Sequence, residues 1–238
     1  MKITYIHHSS FSVELENAVL LFDYFKGTLP EFPAGKPLFI FASHFHADHY
    51  DPVIFQLGEK RENVFYILSK EIGKKIPEEY RKRYKDRIRL VKAGERFCLN
   101  ISEESLIVET FHSTDEGVAF WLSCEGKEIY HAGDLNNWWW EGEDMAWNRN
   151  MAASYKQEMK KLSGRTADLA FIPVDPRLEQ WFYLGAAGFM EQADAKWIFP
   201  MHFWGDYTII PKLIEHPSSE GWRDRIVEIH KEGEEFVR

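Results

Sequence analysis

The sequence has few cysteines and no long apolar run. Cys98 and Cys124 are the only cysteines among 238 residues, so a framework of several disulfides is excluded and two reduced thiols in a cytosolic protein are expected. No apolar run approaches the roughly 18 residues that a transmembrane helix needs. Residues 1–10 do not join a basic start to an apolar run, so we expect no secretory signal. These absences predict a cytoplasmic protein without a membrane partner.

Positive charge is also scarce. The formal net charge is −9, and basic residues are concentrated only in the segment 81–89. A groove for long nucleic acid needs a positive field, so no such partner is expected. A local basic patch leaves room for a single phosphate group. We therefore expect a small-molecule substrate, whereas the oligomeric state is open.

Aromatic residues are abundant, at 16% of the chain with nine tryptophans. No repeat or linker-like segment divides residues 1–238, so a single domain is the simplest interpretation. Apolar patterns predict strands over Ile3–His7, Phe11–Leu15, Val19–Tyr24, Leu38–Ser43, Val64–Leu68, Ile88–Val91, Leu106–Phe111, Val118–Ser123, Glu128–His131, Leu169–Val174, Trp197–Pro200, Ile226–Ile229 and Glu235–Val237. Helices are predicted near Lys70–Lys85, Glu143–Leu162, Leu178–Ala193 and Tyr207–Glu215. This order predicts sheets packed between helical layers.

The strongest local signal is S-H-F-H-A-D-H-Y, residues 43–50, directly after the apolar run LFIFAS. His44 and His46 are two residues apart, so in extended backbone their imidazoles point to the same side. A turn at Asp48 and His49 would bring both into the same cavity. Imidazoles and a carboxylate are suitable ligands for zinc or a similar divalent metal. A buried strand followed by such a loop favours a functional site over a solvated polar loop.

The sequence resembles the metallo-β-lactamase superfamily, whose members carry H-x-H-x-D-H, then a lone His, an Asp and a final His at strand ends. Residues 44–49 match the first element, and His112 after LIVETF matches the second. Asp134 in H-A-G-D and His202 in F-P-M-H match the third and fourth. The opening YIHHSSFSVE with VLLFDYF is similar to the ascorbate-6-phosphate lactonase branch. The resemblance implies an α+β, four-layer αββα sandwich over residues 1–238.

The resemblance also implies a ligand set. His44, His46 and His112 would bind one metal; Asp48, His49 and His202 would bind a second, with Asp134 bridging the two. Two divalent metals per chain are expected, with zinc first and manganese or iron open, since no cysteine is a ligand. The implied enzyme is a hydrolase in which the metals activate a hydroxide, and Asp48 and Asp134 are its candidate catalytic residues. Esters, lactones, thioesters and phosphodiesters are all open as substrates.

Two other functions stay open: redox chemistry at a di-iron site, and metal binding without catalysis. Neighbouring polar residues also have two interpretations each. His7 and His8 either approach the site or stabilise the first turn. His131 and Asp23 either orient a ligand or serve only the strand ends. Residues 114–116 are expected to form a polar turn.

Trp138, Trp139 and Trp140 follow the candidate ligand Asp134 closely. Adjacent side chains diverge on any regular backbone, so all three cannot face one core. At least one is expected to face the cavity or a neighbouring subunit. We predict that the run begins a flap over the substrate side of the metals, with core packing as the alternative.

Overall fold

A computed structural model describes residues 1–101 and 104–238, whose strands form a seven-stranded and a six-stranded sheet. The first sheet has the order β13-β1-β2-β3-β4-β5-β6 and consists of β1 (Lys2–His7), β2 (Ser10–Glu14), β3 (Val19–Phe22), β4 (Leu38–Ala42), β5 (Val64–Ser69), β6 (Ile88–Val91) and β13 (Glu235–Val237). Strands β3 to β6 are parallel, whereas β13 to β3 are antiparallel.

The parallel half of this sheet is covered on both faces. In β4, Phe39 and Phe41 belong to the larger apolar core, while Leu38, Ile40 and Ala42 belong to a second, smaller core on the other face. Every residue of β4 is buried as a result. This explains the continuous apolar run LFIFA, because a strand buried on both faces needs no polar alternation.

The second sheet has the order β12-β11-β10-β9-β8-β7. Its strands are β7 (Arg96–Ile101), β8 (Glu104–His112), β9 (Val118–Cys124), β10 (Lys127–His131), β11 (Thr166–Pro173) and β12 (Asp194–Met201). Strands β10 to β12 are parallel and the others are antiparallel. The two sheets face each other through aromatic contacts such as Phe11 with Phe171, whose ring centroids are 4.6 Å apart.

Helices cover the outer faces of both sheets. On the first sheet, α1 (Ile54–Glu59) places Ile54 and Phe55 in the smaller core, close to α2 (Glu78–Arg83). On the second sheet lie α3 (Met145–Lys160) and α4 (Leu184–Gln192), where Phe189 stacks on Tyr130 of β10 at 4.9 Å. A fifth helix, α5 (Ile209–Glu215), follows β12. The expected α+β, four-layer αββα sandwich is confirmed.

Some predicted elements differ from the structure for local reasons. The predicted helix over Lys70–Lys85 is divided into a 3-10 turn (Lys70–Lys74) and α2, because Pro77 disfavours helical backbone at the residue before it. The predicted strand Ile226–Ile229 is wrong: Ile226 makes one isolated bridge to Ile198, and the residues after it are irregular. The sequence pattern does not predict strand β7 or helix α1.

The single domain over 1–238 stays a prediction. Within the described residues, no helix has the length and apolarity that crossing a membrane requires.

Candidate metal centre

Three of the predicted ligands lie just beyond the carboxyl ends of their strands. His44 follows β4, Asp134 follows β10, and His202 follows β12 directly. These strand ends meet at one edge of the sandwich, where loops carry side chains on a rigid scaffold.

The donor atoms at this edge form two groups, each with its atoms within 4.8 Å of one another. We name them the deep group, which comprises His8, Asp48, His49 and His202, and the outer group, which comprises His44, His46, Asp115 and Asp134. Both groups combine imidazole nitrogen with carboxylate oxygen, the donors that zinc, iron and manganese accept.

The carboxylate of Asp134 joins the two groups. Its Oδ2 lies 3.4 Å from Nε2 of His44, in the outer group. Its Oδ1 lies 3.2 Å from Nε2 of His49 and 3.4 Å from Nε2 of His202, both in the deep group. One oxygen therefore faces each group, which is the arrangement a bridging carboxylate needs.

Three of the imidazoles are held by their other ring nitrogen. His49 Nδ1 bonds Asp23 Oδ2 at 2.8 Å, and His202 Nδ1 bonds Asp175 Oδ2 at 3.0 Å. Ser43 Oγ donates to Asp23 at 2.7 Å and so accepts from His44 Nδ1 at 3.0 Å. Each Nδ1 is therefore held by a hydrogen bond, to Ser43 or to a carboxylate. Each Nε2 faces Asp134. Such partners are the usual supports of metal-binding histidines.

Several atoms turned inward make no hydrogen bond. Among the described residues, Nε2 of His44, His49 and His202 and Oδ1 of Asp134 are buried without a hydrogen bond. A buried polar atom left unsatisfied costs about 1–3 kcal/mol. Four such atoms converging on one space fit divalent cations well.

The charges at the site also suit metal binding. Burial lowers the pKa of His44 to about 3, so its imidazole is neutral and able to act as a ligand. Burial raises the pKa of Asp134, but the surrounding imidazoles of His49 and His202 outweigh it and hold the pKa well below its usual range. For His49 the directions are reversed. Burial lowers the pKa of its imidazole, but the carboxylates of Asp134 and Asp23 outweigh burial and raise this pKa well above the ordinary value. A metal at His49 must therefore displace a proton.

Unusual backbone is concentrated around these residues. His8, Asp23 and His202 have positive φ angles of 55°, 44° and 61°, a region that costs non-glycine residues energy and is common at functional sites. Gly117 and Gly133 press against the chain at Ser43: a Cβ at Gly117 would lie 1.9 Å from the Ser43 carbonyl oxygen. Only glycine allows this approach, which fixes the ligand loop between two turns.

Six of the seven predicted ligands come together, and His112 does not. His112 ends β8 opposite Val118 of β9, so strand alternation places its side chain on the same face as Thr110. It is exposed and lines a separate cavity with Ser69 and Glu71. The turn after β8 instead brings in Asp115, whose Oδ2 lies 3.6 Å from Nδ1 of His46.

Sequence reasoning missed some of these residues. The sequence pattern predicts only a polar turn at Asp115 and does not single out Asp175. A signal for Asp175 was available, since it follows parallel strand β11 as His202 follows its neighbour β12. Of the residues with two interpretations, His8 joins the deep group. His131 donates from Nε2 to the Ser9 carbonyl at 3.0 Å and accepts from Gly133 at Nδ1, so it supports the turn that carries Asp134.

A cavity of about 590 Å³ opens beside the metal groups. Trp138 and Trp140 line it with their rings stacked 6.0 Å apart, and Trp138 also donates from Nε1 to the Asp134 carbonyl at 3.0 Å. Trp139 points elsewhere and packs on Trp181 at 5.4 Å. The run therefore divides between two surroundings, as adjacent side chains must.

Fold and donor groups together define an αββα protein with two neighbouring groups of candidate metal ligands. A family model described as "Beta-lactamase superfamily domain" matches residues 2–202. The chain belongs to this superfamily, which confirms the resemblance stated above; the ascorbate-6-phosphate lactonase branch stays a prediction.

Individual relatives are distant. A "UPF0173 metal-dependent hydrolase" of Alkaliphilus metalliredigens (strain QYMF) is 25% identical over 252 residues, covering 97% of this chain and 96% of that protein. Igni18, a metallo hydrolase from the archaeon Ignicoccus hospitalis KIN4/I, has a TM-score of 0.64 at 17% identity, covering 100% of this chain and 98% of that one. CmlA, a diiron β-hydroxylase from Streptomyces venezuelae, has a TM-score of 0.60 at 12% identity, covering 96% of this chain and 52% of that one. At these identities the two structures show a shared fold.

Proposed function

We propose that the chain is a metal-dependent hydrolase that uses two divalent metals on a small ester, lactone or phosphodiester. The observation that carries the proposal is the convergence of three unpartnered imidazole Nε2 atoms on the two oxygens of Asp134. Its relative in Alkaliphilus metalliredigens bears the name metal-dependent hydrolase, which supports the same reaction class.

The donors divide into two binding positions that share Asp134. His44, His46 and Asp115 would hold the outer metal. His49, His202, Asp48 and His8 offer donors to the deep one. When bound, two such metals supply Lewis acidity and lower the pKa of water toward neutrality. Zinc is the first expectation, and manganese and iron accept the same nitrogen and oxygen donors.

Asp48 is the residue best situated to handle a proton. It lines the cavity, and its Oδ2 lies 3.4 Å from Nε2 of His8. Burial raises the pKa of Asp48, but the contact with His8 and nearby imidazoles outweighs it and keeps the pKa low, so the carboxylate is ionised. Burial lowers the pKa of His8 to about 4, so this ring is neutral. Asp48, ionised and at the cavity wall, is therefore our candidate proton acceptor.

The remaining features favour a small substrate in a reducing compartment. The cavity of about 590 Å³ is of a size that small molecules fill. A net charge of −9 disfavours long nucleic acid. The two-cysteine composition supports the cytoplasm as the compartment we propose.

A second candidate is oxygen chemistry at a di-iron centre. The outer group contains two histidines and two carboxylates, a set that iron accepts readily. CmlA, which shares the fold, is described as a diiron enzyme. This candidate needs an electron donor, so it ranks below hydrolysis.

One experiment tests both candidates. Protein purified without chelators is analysed for metal and assayed against esters, lactones, thioesters and phosphodiesters, with Asp134→Ala protein as the control. The hydrolase proposal expects about two metals per chain and turnover that Asp134→Ala abolishes. Iron with an optical charge-transfer band and no turnover would favour the second candidate, and a metal-free inactive protein would refute both.

A further inference from the structure

Exposed aromatic surface is concentrated at the mouth of the metal cavity. Among the described residues, the exposed large hydrophobic side chains are Leu90, Met145, Trp147, Trp204 and Val237. Two of these five, Trp147 and Trp204, line the cavity. Met145 lies two residues before Trp147, at the start of α3. Apolar surface gathered at one cavity, rather than scattered, marks a ligand-binding wall.

Arg177 is fixed within this wall. Its Nε lies 3.0 and 2.9 Å from the two oxygens of Asp175, and its Nη2 donates to the same carboxylate. Its Cζ lies 4.7 Å from the ring centroid of Trp204 and 5.5 Å from that of Trp140. A planar guanidinium held on one edge and stacked on aromatic rings has little freedom left to lose when it binds a ligand.

The guanidinium still has donors for a ligand. Its bonds to the described residues use Nε and Nη2, which leaves the N–H groups of Nη1 available. Arg177 is half-exposed and is the only Lys or Arg among the described residues that line the cavity. Its cation lies over one side of Trp140 and of Trp204, so a cationic ligand at these rings would meet a like charge.

We propose that the substrate is a small organic anion with a flat apolar body, and that Arg177 is the residue that selects it. The body lies against Trp147 and Trp204, Nη1 of Arg177 binds the anionic group, and the bond to be cleaved faces Asp48 and Asp134. The proposal rests on the hydrolase function proposed above and adds the chemical class of its substrate.

The test measures binding without turnover. Metal-containing protein is titrated by calorimetry with 2-naphthoate, neutral 2-naphthamide and cationic 2-naphthylmethylammonium. A hydrogen bond to a charged group predicts at least about tenfold tighter binding of the naphthoate than of the amide. Equal binding of the acid and the amide, or tighter binding of the ammonium compound, would overturn the proposal. Since no hydrolysis is measured, an inactive substrate panel leaves this result intact.

A matched pair of arginines identifies the binding group. Arg165 resembles Arg177, since it bonds Glu109 through Nη1 and Nη2 and stacks on Trp121 at 4.2 Å, but it lies outside the cavity. We expect Arg177→Gln to remove the preference for naphthoate and Arg165→Gln to keep it.

Arg177→Lys serves as the second variant, because it keeps a charge beside Asp175 and so protects His202. Metal content is measured for each protein. A preference for naphthoate that persists in both metal-loaded Arg177 variants would show that the metals themselves bind the carboxylate, which refutes the role of Arg177.

Discussion

The deep and outer groups differ in burial and in support. In the deep group, His8, His49 and His202 are buried, and buried carboxylates, Asp23 and Asp175, hold two of these rings. In the outer group, the side chains of His46 and Asp115 are 40% and 44% exposed. Hydrogen bonds to the distant ring nitrogen increase the basicity and fix the direction of a ligand. The deep position is therefore the more rigid of the two.

The two positions should differ in metal affinity. Burial and the nearby charge of Asp134 raise the pKa of Asp115, so this carboxylate gains from a cation beside it. Yet the exposure of Asp115 lets water compete for the metal. We expect the deep position to bind metal first and the outer position to exchange more readily.

The largest expected effect comes from removing the carboxylate that both groups share. Asp134→Ala should lower kcat/KM by on the order of 1,000-fold, because several kcal/mol of charge stabilisation depend on both metals. Metal content should fall below that of the wild type. Thermal melting, the control for folding, should change little, since Asp134 lies beyond a strand end. Turnover close to that of the wild type would remove Asp134 from the mechanism.

The next prediction distinguishes Asp115, the outer ligand that the structure indicates, from His112, the ligand that the resemblance implies. Asp115→Ala should weaken the outer metal about 10–100-fold, whereas His112→Ala should leave both metals in place. Metal titration after mild chelation measures both variants side by side, and each serves as the control of the other. Loss of metal in His112→Ala but not in Asp115→Ala would restore the resemblance-based ligand set.

A smaller effect concerns pH at the deep group. Asp134 and Asp23 raise the pKa of His49 above its ordinary value. Without metal, the imidazole is therefore protonated on both nitrogens at neutral pH. Metal binding there should release about one proton and weaken as the pH falls, since protons then compete more strongly. Titration of metal-free protein in weak buffer with an indicator dye measures the release. Affinity that is independent of pH would contradict this assignment.

Sequence predicts those parts of the site whose location follows from residue type and from the ends of apolar strands. His44, His46, Asp48 and His49 share one short loop, and Asp134 and His202 follow apolar strands, so their common location could be inferred. The choice of Asp115 over His112 depends on the path of the turn after β8, which brings Asp115 to His46 while His112 lines a separate cavity. His8 depends on a positive φ angle that no propensity encodes. Asp175 acts through His202 and Arg177 across distant segments, which a linear pattern does not reveal.

The smallest effect concerns the tryptophan run 138–140 beside the cavity. Trp140 lines the cavity and stacks with Trp138, whereas Trp139 packs on Trp181 outside it. Trp140→Ala should lower kcat/KM by roughly three- to tenfold, the equivalent of about 1 kcal/mol of substrate contact, with little loss of stability. Trp139→Ala is the matched control and should leave kinetics unchanged.

Trp138 is nearly buried and meets the edge of His202, so its replacement should cost stability as well, toward the 3–5 kcal/mol typical of a core tryptophan. Kinetics and denaturant unfolding of the three variants separate these outcomes. Unchanged kinetics in Trp140→Ala, measured where the protein is folded, would mean that the run only fills space and that the flap proposal is wrong.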